Sequence, residues 1–231
     1  MKKTGLIIVI ALAIAACSKD SDNTMYVKAQ IKGLKKGTFF LQKQMDSLIV
    51  SVDSVSVNGK EDFVLTDQVD SPEMYYLTLG NSSKRIAFFG EKDTVYINSQ
   101  LDLFSVKAKI KGSDNQDILN QFNEFQQKFK DQRLDLVKEE FEARKKNSQD
   151  SIDLVASKLR NWNKRRILYT ANFAVKHADR EVGPYIALTE LTNTSIKLLD
   201  TVNNSMTPEI RASKYGKKLE AFVKEIKATE Q

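Results

Sequence analysis

The apolar pattern of this chain changes period once, at Gly112, and that change fixes the class of fold. From Met25 to Gly112 it runs in short β-rich segments: YVKAQIKGL, TFFLQKQ, SLIVSVDSVSV, DFVLTDQ, EMYYLTLGN, RIAFFGE, DTVYINS and SVKAKIKG. Successive side chains of an extended chain point to opposite faces, so Val27, Ala29 and Ile31 face a core while Lys28, Gln30 and Lys32 face water. Lys35-Lys36-Gly37, Val57-Asn58-Gly59-Lys60 and Gly80-Asn81 carry the turn chemistry expected between antiparallel strands. The spacing predicts an antiparallel β-sandwich or a partly open barrel over residues 25–112.

After Gly112 the period is helical. Ile118, Phe122, Phe125 and Phe129 form a stripe that Leu134, Val137 and Phe141 continue. A second stripe runs through Ile152, Val155, Leu159, Trp162, Tyr169 and Phe173, with Arg166 in one turn of it. Asn147-Ser148-Gln149-Asp150 breaks the pattern, and Asp150 or Ser151 is expected to cap the second helix. Two such helices with a short connection pack antiparallel as a long hairpin. Pro184 is expected at a first helical position, Ile196, Leu199 and Val202 mark a short helix, and Thr207-Pro208-Glu209 opens a last one through Ile226. The fold class is therefore α+β, with an all-α domain over residues 113–231.

The first residues belong to neither domain. Lys2 and Lys3 precede an apolar run from Gly5 to Ile14 and then Ala15-Ala16-Cys17, the parts of a secretory signal peptide over residues 1–16, too short for a comfortable membrane span. Ile14-Ala15-Ala16-Cys17 resembles the lipobox of bacterial lipoproteins. That resemblance implies cleavage before Cys17 and acyl chains such as palmitate on it, leaving residues 17–24 as a lipidated tether. Two or three acyl chains anchor a protein far more firmly than one, since each buried methylene contributes about 0.8 kcal/mol. The implied location is the cell envelope, anchored to the outer membrane; whether periplasmic or surface-exposed stays open, because the acidic stretch after Cys17 is interrupted by Ser21.

Cys17 is the chain's single cysteine, so its lipidation would exclude disulfides, dithiol chemistry and thiolate ligands together. The formal net charge of +6 drops by two when Lys2 and Lys3 leave, and both signs are interspersed. We expect no nucleic-acid partner: Arg160, Lys164, Arg165 and Arg166 around Trp162 read as a solvated helix face. His177 stands without companions at metal-ligand spacing and reads as a helix-end histidine. The carboxylate pairs Glu61 with Asp62 and Glu139 with Glu140 are chain neighbours that point apart. Together these leave no expected catalytic residue, cofactor or metal, and the chain is expected not to be an enzyme.

The order of pieces resembles the N-terminal domain of unknown function, with its helical linker, that precedes a thioredoxin-like module in envelope lipoproteins of the thiol:disulfide interchange type. The residues that carry this are Ile31-Lys32-Gly33-Leu34, Asn58-Gly59 to Phe63, Asp70-Ser71-Pro72, RIAFFGEKD at 85–93 and Ile110-Lys111-Gly112-Ser113. Gly183-Pro184-Tyr185-Ile186 and Ser213-Lys214-Tyr215-Gly216 continue it through the linker. No thioredoxin-like C-x-x-C module follows in this sequence, so the resemblance lends no redox residue. Gly90 departs from the pattern, where a larger apolar residue is expected, and casts doubt on the local strand edge.

Asp, then Ser or Thr, then an aliphatic residue recurs five times, ending in Leu48, Val55, Val95, Ile152 and Val202. Average composition gives roughly one such tripeptide in a chain of this length. It resembles an O-glycosylation acceptor of exported bacterial proteins, which makes Ser47, Ser54, Thr94, Ser151 and Thr201 candidate sites. Turn and cap formation explains the same pattern. The expected function is non-enzymatic binding or scaffolding with the membrane and an envelope protein as partners. An auxiliary role beside a separate thioredoxin-like protein and a sugar- or peptide-binding role are the alternatives, any small-molecule ligand being unknown.

Overall fold

The computed structural model describes residues 23–80 and 82–229. The segment expected to be a signal peptide, Cys17, most of the expected tether, Asn81 and the last two residues lie outside the described residues. Among the described residues eight strands form two four-stranded sheets and helices follow, an α+β architecture. The first sheet has the order β4-β1-β7-β8, from Asp62–Gln68, Thr24–Lys32, Asp93–Gln100 and Lys109–Lys111. The second has the order β3-β2-β5-β6, from Leu48–Asn58, Lys36–Met45, Glu73–Leu79 and Arg85–Gly90. Val27, Ile31, Leu65, Val95 and Ile97 of the first sheet meet Phe39, Leu41, Tyr75, Leu77 and Phe88 of the second in one buried cluster. Alternation in β1 places its odd-numbered residues in that core, as the period predicts.

All pairings are antiparallel except one: β1 runs parallel to β7, with Val27 beside Val95 and Ile31 beside Ser99. A parallel pair needs a long crossover, and here the intervening chain supplies it by building the whole second sheet. This changes the meaning of two predicted hairpin turns. Lys35-Lys36-Gly37 and Asn58-Gly59-Lys60 carry the chain from one sheet to the other and do not join hydrogen-bonded neighbours. The tight β2–β3 hairpin turns at Asp46, whose φ of 53° is left-handed without glycine, so composition gave no signal for it.

Gly90 corrects the doubt raised by the sequence. It ends β6 paired with Glu73, and a Cβ there would lie 2.4 Å from the Tyr75 ring and 2.6 Å from the Met25 sulfur. The strand edge is intact because glycine stands there.

Helices α1 (Asp114–Lys145) and α2 (Gln149–Lys176) form the hairpin, with α3 (Val182–Glu190), α4 (Ile196–Ser205), α5 (Pro208–Ala212) and α6 (Lys214–Thr229) packed at its base. Ser148 caps α2 by accepting from the Ser151 N–H, in place of the expected Asp150 or Ser151. The first stripe also leaves the hairpin seam. Leu134 follows Phe129 by five positions, which turns the row away from the partner helix. Leu134, Val137 and Phe141 are consequently exposed, and Ala143 is buried instead. Pro184 is the third residue of α3, still inside the first turn where its missing N–H costs nothing. The last predicted helix is two, α5 and α6, broken at Ser213, which adopts an extended ψ of 170°.

Candidate functional site

The densest set of buried polar and aromatic groups lies where the sandwich meets the helices. Met74 of β5 and Phe89 of β6 belong to the helical domain's hydrophobic cluster, so the helical core extends onto the sandwich. The Phe89 ring stands edge-on to Tyr185 at 5.3 Å and to Tyr215 at 6.0 Å, and those tyrosines meet each other at 5.2 Å. Edge-to-face aromatic pairs stabilise beyond simple burial by about 0.5–1.5 kcal/mol each. Two glycines let the chain turn closely beside it. A Cβ at Gly183 would lie 2.3 Å from the His177 carbonyl oxygen, and one at Gly216 would lie within 2.0 Å of the Ile210 carbonyl oxygen (1.9 Å).

Hydrogen bonds cross the same junction. The Met74 N–H donates to the Tyr215 hydroxyl at 3.0 Å, and the Phe89 N–H donates to Gln116 Oε1 at 2.8 Å. Ser113, the α1 N-cap, holds Gln116 in place by accepting from its N–H. Buried Asn115 accepts from the Val182 N–H at 2.9 Å and donates from Nδ2 to Glu91 and Glu181, each at 3.0 Å. One amide thus ties the end of the sandwich, the first helix and the start of α3 together.

Beside it, Lys214 of α6 binds Glu73 and donates to the Gln44 carbonyl at 2.8 Å. Lys43 pairs with Asp67 at 2.6 Å, and the Tyr75 hydroxyl donates to the same carboxylate at 2.8 Å. Burial and the Asp67 carboxylate push the Tyr75 phenol up; burial pushes Tyr185 up to about 12 and Tyr215 further, so all three stay neutral hydroxyls. This is a structural lock in which buried hydroxyls, amides and paired charges hold one another.

A cleft of about 450 Å³ opens on the Asn115 side, lined by Asp70, Glu91, Asp93, Asp114, Glu181 and Arg180 among others. Burial above all holds the Glu181 carboxyl above its usual range; its own backbone and Asn115 pull it down, and Glu91 and Glu209 push it further up. Among the described residues, no three His, Cys, Asp or Glu side chains converge as a metal site.

The residues singled out by sequence are scattered. Ser47 is exposed in the β2–β3 turn, Ser54 exposed on β3, Thr94 half-buried on β7, Ser151 half-buried in the first turn of α2 and Thr201 exposed on α4. The Ser151 hydroxyl shares a hydrogen bond with Ser148, and Thr201 donates to the Lys197 carbonyl. Trp162 is 7% exposed, its indole N–H donating to the Phe129 carbonyl at 3.0 Å with Arg133 and Arg166 over the ring. His177 caps the end of α2 with its ring 4.6 Å from Phe173. Cys17 lies outside the described residues. Among the described residues, no helix is long and apolar enough to cross a membrane.

Five of the seven motifs behind the sequence resemblance land at this junction: RIAFFGEKD supplies Phe89 and Glu91, Ser113 caps α1, Tyr185 and Tyr215 complete the aromatic group, and Asp70-Ser71-Pro72 leads into Glu73 and Met74. No curated protein and no solved structure matches the chain. Residues 25–119, the sandwich and the start of α1, match the family described as Domain of unknown function (DUF4369), and no thioredoxin-like family is found.

Proposed function

We propose that this chain is a lipid-anchored envelope protein of binding or scaffold type, held through Cys17 and presenting a sandwich and a helical domain in fixed relation. The observation that carries the reading is the extension of the helical core onto the sandwich at Phe89, Tyr185 and Tyr215, with its buried hydrogen bonds to Met74 and Gln116. A junction built this way costs conformational entropy to order and is of use to a protein whose faces must meet a partner together. The lysine-led start and the Ala-Ala-Cys17 sequence support the anchor.

The test is metabolic labelling with a palmitate analogue, combined with in-cell cross-linking and mass spectrometry of what is captured. Label that depends on Cys17, with a reproducible envelope partner, is the expected result. An unlabelled chain free in the cell interior would contradict the anchor, and a captured thioredoxin-like protein would move the function to the auxiliary redox role.

A further inference from the structure

The outer face of the first sheet carries a trough. Its floor is the solvent-facing row of β7, Tyr96, Asn98 and Gln100, and its walls are lysines on the flanking strands. Lys28 and Lys32 stand on β1 at the register of Tyr96 and Gln100, while Lys111 and Lys109 stand on β8 opposite Tyr96 and Asn98. Two strand spacings separate the walls, about 10 Å, which is wide enough for one extended polymer and too narrow for a folded one. Around Gln30, Lys32, Asn98, Gln100, Lys107 and Lys109 the trough deepens into a cleft of about 720 Å³. A second cleft of about 520 Å³ shares Ala108 and Lys109 with it and continues to Asn120, Asn123 and Gln127 of α1.

Beyond Tyr96 the chemistry repeats along the path: side-chain amides on the floor and ammonium groups beside them. Amides both donate and accept, which suits vicinal hydroxyls, and the lysines suit carboxylates or sulfates placed at intervals. Carboxylates border the path as well: Asp62 lies beside Gln30, Glu61 accepts from the Gly33 N–H next to Lys32, Glu124 lines the second cleft and Asp131 accepts from Gln127, so the lysines outnumber the acids at the deep cleft above all. Tyr96 puts a ring on the floor but none lines either cleft, so successive bases of a single-stranded nucleic acid would find no row of rings to stack on along the path. The deep cleft lies at the ends of β1 and β7 far from Thr24, about 26 Å along β1 from where the tether enters.

We propose that this trough binds an acidic polysaccharide, the chain lying along β7 and crossing β8 onto α1. The proposal rests on the reading of the protein as a binding module and names the ligand class.

The test is titration of the purified full chain with a polygalacturonate hexasaccharide, a neutral glucan hexasaccharide, vesicles containing anionic phospholipid, and an oligothymidine. The acidic sugar is expected to bind, with affinity falling as salt rises. The triple variant Lys32→Gln, Lys107→Gln, Lys109→Gln is expected to bind it about tenfold more weakly. These lysines are exposed, so the fold should survive, which circular dichroism checks. Asn98→Ala should weaken binding while leaving the salt dependence unchanged. Equal binding of acidic and neutral sugars, preference for vesicles or oligothymidine, no binding, or an unaffected triple variant would each overturn the assignment. Retained capture of a protein partner alongside any of these would leave the binding-module reading standing.

Discussion

Tyr215→Phe removes one oxygen from the junction and little else. The Tyr215 hydroxyl accepts the Met74 N–H at 3.0 Å with both groups buried, while the ring's contacts with Phe89 and Tyr185 do not involve that oxygen. The substitution therefore leaves a buried backbone donor unpaired, a cost of about 1–3 kcal/mol. For a chain of this size each kcal/mol lowers the melting temperature by roughly 2–4 °C, so a drop of about 2–12 °C is expected. Urea unfolding followed by far-ultraviolet circular dichroism and by the fluorescence of Trp162, the chain's one tryptophan, gives the free energy with one probe confined to the helical hairpin. Tyr26→Phe, on the exposed face of β1, is the control and should change stability by less than about 0.5 kcal/mol. If Tyr215→Phe is as silent as the control, water reaches the Met74 N–H and the junction is not the sealed interface described.

Gly216→Ala should destabilise more than Tyr215→Phe, because a Cβ there would overlap the Ile210 carbonyl; a melting temperature within 1–2 °C of the parent, about 0.5 kcal/mol, would contradict the close approach of α5 and α6. Glu181 holds its proton to higher pH in the fold than in the unfolded chain, so the stability its neutral form contributes is complete below about 4.5 and is lost as pH rises through the folded value. Glu181→Gln keeps an acceptor for Asn115 and should gain on the parent as pH rises from 4.5 to neutrality; parallel stability curves across that range would refute the assignment. Leu134→Ser and Phe141→Ser replace exposed side chains, Phe141 being 65% exposed, and should leave the melting temperature nearly unchanged, whereas a large loss would place them in a core. An intact mass of the natively produced protein equal to the lipidated chain alone would remove glycosylation at Ser47, Ser54, Thr94, Ser151 and Thr201.

The sandwich strands were legible because their faces differ: one side of β1 is Met25, Val27, Ala29 and Ile31, the other Tyr26, Lys28, Gln30 and Lys32. Pairing was not, since alternation reports which face is buried and says nothing about which edge meets which. The parallel partnership of β1 and β7 depends on where a sixty-residue excursion returns, a long-range property. On the hairpin, counting apolar residues placed Leu134 and Phe141 in the core, and the drift of the stripe put Ala143 there instead. The junction was visible in fragments, as Phe89, Tyr185, Gly216 and Ser113 each fell in a motif of the resemblance. Their convergence needed the structure, because no short-range pattern links residues 89 and 215. Asn115 was missed altogether: an asparagine in the first turn of a helix looks like any surface residue until Glu91, Glu181 and Val182 arrive around it.

The fixed relation of the two domains is best tested by a distance between them. Spin labels at Val64→Cys on β4 and Lys218→Cys on α6, both exposed, in a chain with Cys17→Ser, permit pulsed electron resonance across the junction. One narrow distance distribution is expected, unchanged by ionic strength, since aromatic contacts and buried hydrogen bonds back the Lys214–Glu73 pair across the junction. A broad or bimodal distribution in the parent chain would show domains that move independently and would contradict the account at its centre.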